Sequence, residues 1–233
     1  MQESRSGPIV AIDGPAGAGK SSVARRVADA LGYVLVDTGA MYRTVALAAR
    51  RAHIEWSDGL GVGAIARALV ARHALHFERE KERGLRIRLA DEDVTDAIRS
   101  PDIGMGASTV SAHPPVRDAL LEMQRQAGRA GAVVLEGRDI GTVVFPDAEI
   151  KFFLTARPEI RARRRFDQLA AQGVRASYEQ TLDEVRRRDQ QDMNRPIAPL
   201  KCAADAMLVD SSDMTLDETV AHLVTRIRER GTM

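Results

Sequence analysis

A chain of 233 residues, 44% of them hydrophobic, is long enough to bury a sizeable core and fits one main domain with appendages. Its 34 basic and 33 acidic residues leave a formal charge of +1, so the overall balance gives no argument for a nucleic-acid or membrane surface. The single cysteine, Cys202, excludes an internal disulfide framework, residues 1–7 are polar, and no run reaches membrane-spanning length, so a soluble cytoplasmic protein is expected.

Residues 8–13 are nearly continuous in apolar side chains, as a strand buried on both faces of a parallel sheet should be. The segment that follows, Gly14, Pro15, Ala16, Gly17, Ala18, Gly19, Lys20, Ser21 and Ser22, contains G-x-x-x-x-G-K-[ST] in full, between a strand pattern and a helix pattern. Glycines let backbone N–H groups approach phosphate oxygens, and the helix starting near Lys20 adds the positive end of its dipole. Lys20 can reach the β and γ phosphates of a nucleotide, and the Ser21 hydroxyl is placed to ligate Mg2+. The helix buries Val23, Val27, Ala28 and Leu31 and ends at Gly32. Residues 33–37 read as a second strand and about 40–51 as a second helix, the alternation that implies right-handed crossovers and a parallel sheet.

The middle of the chain breaks this rhythm. Residues 58–72 have helical spacing, 74–78 and 85–90 read as short strands around a charged turn at 79–84, and Val94 and Ile98 continue the excursion before Pro101. Residues 114–129 form a helix opened by prolines. Residues 132–135 read as a buried strand running into Glu-Gly-Arg-Asp, and 150–154 as another. Two very basic helices, 156–172 and 178–193, flank a break at 173–177. A last strand at 206–209 precedes a closing helix, capped by Thr215 with Glu218.

A phosphate loop says nucleotide without saying what happens to it. Three further stretches lie at or soon after strand ends, where open α/β sheets bind ligands. In residues 37–43, Arg43 stands one helical turn beyond Thr38 and Gly39 and can hold a second anion; alternatively Thr38 is a helix N-cap and Arg43 is solvated. In residues 136–146, Arg138 and Asp139 directly follow an apolar strand and need partners if buried, whether a ligand or each other. Arg188, Asp192 and Arg195 share a helical face at i, i+4 and i+7, which also suits a surface ion pair.

Taken in order, Ile-Asp-Gly-Pro-Ala-Gly-Ala-Gly-Lys at 12–20, Asp-Thr-Gly-Ala-Met-Tyr-Arg at 37–43, Gly-Arg-Asp-Ile-Gly-Thr-Val-Val-Phe-Pro-Asp at 137–147 and Asn-Arg-Pro-Ile-Ala-Pro-Leu at 194–200 carry a resemblance. The chain resembles the bacterial cytidylate kinases, a branch of the nucleoside monophosphate kinase family, essentially end to end. The resemblance implies a P-loop NTPase fold, three-layer α/β/α around a central parallel sheet, with a small inserted NMP-binding subdomain and a helical lid. Its core would comprise residues 8–40, 114–155 and 178–230. The NMP-binding region would span 41–113, with a β insert at about 72–95, and the lid 156–177. No residue of the insert is carried over.

By the same resemblance, Arg43, Arg138 and Arg195 match the arginines on the CMP phosphate. Ser108, Arg117 and Asp139 match positions on the cytosine ring, and Thr38, Arg188 and Asp192 positions around phosphate and sugar, where CMP or dCMP is accommodated. Thr38 stands where serine is common, keeping the hydroxyl, and Pro115 where a basic residue can occur. The implied partners are small molecules, ATP and CMP or dCMP, with no nucleic acid and no membrane, and a monomer is expected.

The acceptor oxygen in such a reaction is an already ionised phosphate, so no general base is nominated. The protein must instead hold two repelling anions in line and neutralise shifting charge. Arg161, Arg164 and Arg165 in the first basic helix are read as a lid over ATP that excludes water, with Arg161 and Arg165 joining Lys20 and Arg188 as catalytic residues. The plain alternative is a solvated basic face.

Overall fold

The computed structural model describes residues 5–80, 84–171 and 173–231; expectations that fall on residues 1–4, on the tip of the charged turn at 81–83 and on Gln172 lie outside them. Strand β1 (Ile9–Asp13) is buried at all five positions, and helix α1 (Lys20–Leu31) follows the glycine-rich loop. Strand β2 (Val34–Asp37) leads directly into α2 (Thr38–Arg51). This helix starts two residues earlier than its apolar pattern suggests. Its cap is Asp37, whose Oδ1 accepts from the Ala40 amide at 2.9 Å, so Thr38 lies inside the first turn and is not the N-cap.

Helix α3 (Gly59–Ala71) is capped by Asp58. The irregular middle is a three-stranded antiparallel sheet of β3 (Leu75–Glu80), β4 (Gly84–Leu89) and β5 (Glu92–Asp93). Helix α4 (Pro101–Val110) was not anticipated; the sequence reading assigned no element between Pro101 and Pro114. The proline sits at the first helical position, where it is tolerated, and Gly106 lies against the Trp56 ring, where a Cβ would come within 2.5 Å.

After α5 (Pro114–Gly128), strand β6 (Val133–Gly137) runs into a π-helical turn at Ile140–Val144, also absent from the sequence reading. Strand β7 (Ile150–Thr155), helices α6 (Pro158–Ala171) and α7 (Tyr178–Asn194), strand β8 (Met207–Asp210) and helix α8 (Leu216–Gly231) complete the chain. The capping box at α8 forms reciprocally between Thr215 and Glu218.

The main sheet is parallel, in the order β2-β6-β1-β7-β8. Successive strands fill one side of β1 and then the other, so the crevice at the carboxyl end of β1 is the switch point of the fold. There Asp13 is in register with Gly137 on one side and Phe153 on the other. The core behind it joins Val10, Ile12, Phe152 and Leu154 to Val23 and Val27 of α1 and Leu223 and Ile227 of α8. Each such side chain stabilises by about 2 kcal/mol, enough together to hold the strand ends still. By compactness the chain divides into two units, residues up to Val36 with Ala127 onward, and Asp37–Gln126.

Candidate active site

The phosphate loop is shaped by its backbone. Gly14 has φ +151°, and a Cβ there would meet the Leu154 carbonyl oxygen at 2.0 Å, so the turn out of β1 admits no side chain. Lys20, the first residue of α1, is buried, and its Nζ donates to the Pro15 carbonyl at 2.7 Å. Burial, and then the neighbouring Arg138 cation, pull its pKa down to about 7, against the opposing pull of Glu136, Asp192 and Asp13. Ser21 and Ser22 are exposed on the same turn.

The arginines at the end of β6 and along α7 are held by carboxylates. Arg138 donates through Nε to Asp192 Oδ2 at 2.8 Å, and Arg195 lies 3.5 Å from Asp139 with both side chains buried. Burial pushes the Asp192 carboxyl up, but Arg138 and then Arg195 and Arg188 outweigh it and hold it below the usual range. Arg188 lies on the same helix, 3.8 Å from Glu184; burial and then Arg138 lower its pKa. Arg195 also donates to the carbonyl of Ala198, a residue with φ +48°. This left-handed conformation costs an alanine about 1 kcal/mol.

Helices α6 and α7 pack on each other. Arg161 is buried and held on three sides: Nε on the Ala156 carbonyl, one terminal nitrogen on the Ala16 carbonyl of the loop at 3.1 Å, and both on Asp189 at 2.8 and 2.6 Å. It therefore clamps the loop through the Ala16 carbonyl. Arg164 donates to the Ser211 carbonyl at 2.7 Å, and Arg165 to Gln168 at 3.0 Å.

In the Asp37–Gln126 unit, Arg43 pairs with Asp37 at 2.8 Å, beside Gly39, where a Cβ would crowd the guanidinium at 3.2 Å. Arg117 is buried, donates to the Ser111 carbonyl at 3.3 Å and lies 5.8 Å from the centre of the Tyr42 ring. Thr38 is buried. Ser108 Oγ is buried with no hydrogen-bond partner among the described residues. Thus the structure brings Lys20, Arg138, Asp139, Arg188, Asp192 and Arg195 into one charged neighbourhood of the first unit. Thr38, Arg43, Ser108 and Arg117 lie in the second.

The cytidylate kinase family model matches residues 10–229. The chain belongs to the cytidylate kinase family. It is 50% identical to the cytidylate kinase of Citrifermentans bemidjiense, over 96% of this chain and 94% of that one. It is 49% identical to that of Geobacter sulfurreducens, over 97% and 95%. To that of Mycobacterium leprae it is 47% identical, over 96% of both chains.

Three carboxylates of this candidate site in a cytidylate kinase chain escaped the sequence reading. Asp13 and Glu136, at the ends of β1 and β6, are buried next to Lys20, and Asp189 holds Arg161. Asp13 and Glu136 had a visible signal, a charge closing an otherwise apolar strand, which demands a partner. Asp189 had none, because its partner is 28 residues away on another helix. Among the described residues no helix is long and apolar enough to cross a membrane.

Proposed function

We propose that this protein transfers the γ-phosphoryl group of ATP to CMP or dCMP, giving ADP and CDP or dCDP. The feature that carries the reading is electrostatic: Arg138 of the turn after β6 and Lys20 of the phosphate loop lie in one buried charged cluster with Asp192, Glu136 and Asp13, where the guanidinium lowers the pKa of Lys20. Two cations so placed repel, and anionic ligands between them would relieve that repulsion. The donor polyphosphate is assigned to residues 14–22, with Lys20 on its β and γ groups and Arg164 alongside. The acceptor phosphate is assigned to Arg43, Arg138 and Arg195, the base to Ser108, Arg117 and Asp139, and the sugar region to Thr38, Arg188 and Asp192.

The acceptor oxygen is ionised at neutral pH, so the chain's task is to align and neutralise. Lys20, Arg188 and Arg165 supply positive charge around the transferring group, and Arg161 acts through the loop it clamps. Ser21 stands exposed beside buried Lys20, and no three His, Cys, Asp or Glu side chains cluster as a cage among the described residues. That donor set fits a magnesium ion taking most of its oxygens from phosphate and water. Ser21 would hold it, and its chemistry there is to withdraw charge from phosphate oxygens. Asp139 would accept from the cytosine amine while Arg117 donates to the ring carbonyl. Uracil would set a carbonyl oxygen against that carboxylate in place of the amine, the mismatch that makes a site selective. A monomer acting in the cytoplasm on these small molecules fits the near-neutral charge and lone cysteine.

The test is ADP formation with CMP, dCMP, UMP, AMP and shikimate compared side by side. The expected result is fast turnover with the two cytidine nucleotides. Preference for AMP or for the hydroxyl acceptor overturns the assignment.

A further inference from the structure

Both carboxylate oxygens of Asp13 are committed to backbone outside their own strand. Oδ1 accepts from the Ile140 amide at 2.8 Å and Oδ2 from the Gly141 amide at 2.7 Å. These amides open the π-helical turn that directly follows Arg138 and Asp139, while Asp13 directly precedes Gly14 of the phosphate loop. The far end of the same segment is pinned separately: Lys151 Nζ donates to the Pro146 carbonyl at 2.6 Å and pairs with Asp205 at 2.8 Å. The space between is tight. A Cβ on Gly141 would stand 3.0 Å from Lys151 Cδ and 3.4 Å from Asp13 Oδ2.

A carboxylate buried at the end of an apolar strand is unfavourable, and burial pushes Asp13 up to about 6 even though the two amides oppose the shift. An apolar residue would close the strand at less cost, so a carboxylate here calls for another reason. Two successive N–H groups need two acceptor oxygens on one short side chain. Asparagine offers one oxygen and turns an NH2 group on the second amide; glutamate is one carbon too long.

We propose that Asp13 is a positioning residue, which locks the turn carrying Arg138 and Asp139 to the start of the phosphate loop and so sets the acceptor phosphate in line with the donor. It touches neither nucleotide and acts through the backbone of residues 138–141. The inference rests on the phosphoryl-transfer reading above.

The test uses Asp13→Asn and Gly141→Ala, singly and together, in the full chain, with thermal melting to establish folding. Steady-state kinetics with CMP are set against equilibrium binding of ATP measured without acceptor. Each single variant is expected to lower kcat/KM for CMP about 100-fold, the scale of an ångström's misplacement, while the Kd for ATP stays unchanged. The double variant should be no worse than the poorer single, because one removes an acceptor and the other crowds the same seam between Asp13 and the turn. Wild-type CMP kinetics in Asp13→Asn, equal loss of ATP and CMP affinity, or losses that multiply in the double variant would each overturn the proposal. Should Asp13→Asn fail to fold, Gly141→Ala carries the same split by itself. A wild-type protein inert toward CMP would instead sink the underlying reading, a result distinct from an active enzyme with unaffected variants.

Discussion

In the phosphate loop the cation is tied to backbone, Lys20 to the Pro15 carbonyl; in the turn after β6 the arginines are tied to carboxylates, Arg138 to Asp192 and Arg195 to Asp139. The loop takes its shape from a glycine that nothing larger can replace, and its amides need no counter-ion. The turn takes its shape from side chains, and its buried guanidinium groups would be costly without the acids that face them. A backbone cradle is thus complete before a ligand arrives. A guanidinium cluster has to share or exchange a partner when a phosphate enters, so ligand binding there is felt by the protein's own ion pairs.

The strongest way to break this contrast is Lys20→Ala. Turnover should fall about 1,000-fold, the scale of a lost charge-stabilising donor, with the affinity for CMP largely intact. Steady-state kinetics combined with CMP binding decide it, and an equal loss of CMP affinity would merge the two sites. Arg138→Ala should cost about 100-fold in kcat/KM for CMP without altering ATP binding. It also takes from buried Asp192 its hydrogen-bonded cation and leaves only Arg195 and Arg188 acting on it, so chemical denaturation should show a loss of up to about 3 kcal/mol. Adding Asp192→Asn should restore most of the stability and none of the CMP affinity; recovery of both would reduce the pair to scaffolding.

The smallest effect sharpens the comparison by counting protons. With its pKa near 7 in the free protein, Lys20 is largely neutral at pH 8, and a polyphosphate beside it restores the charge. ATP binding at pH 8 should therefore take up a fraction of a proton, read by calorimetry in buffers of different ionisation heat and lost in Lys20→Met. The sign in the free protein follows from linkage. Between about pH 7 and 10 the unfolded chain binds the proton that native Lys20 has lost, so this group makes stability rise with pH across that window. Asp13 acts the other way: its raised pKa makes its contribution fall as pH rises from about 4 through 6.

The loop was legible in the sequence because its chemistry is local: nine consecutive residues specify the turn, the cation and the hydroxyl. The parallel sheet was legible for a similar reason, since strands buried on both faces leave unbroken apolar runs. Helix α4 was not, because Pro101 and Gly106 look like breakers until Trp56 is seen filling the space beside the glycine. The cap of α2 is Asp37, one residue before the Thr38 weighed as the plain alternative to a ligand-binding role, and spacing alone does not separate two adjacent polar side chains. The arginines were visible one by one, but their partners were not. Asp192 meets Arg138 from 54 residues away and Asp13 meets Gly141 from 128, separations at which no periodicity survives.

Helix α7 presents Asp189 and Asp192, three positions apart, to Arg161, which holds the loop, and to Arg138 on the turn. Both grips therefore depend on a single rotational setting. A slip of one residue along the axis swings every side chain by about 100°, releasing both anchors in the same movement. The two halves of the site cannot slacken one at a time.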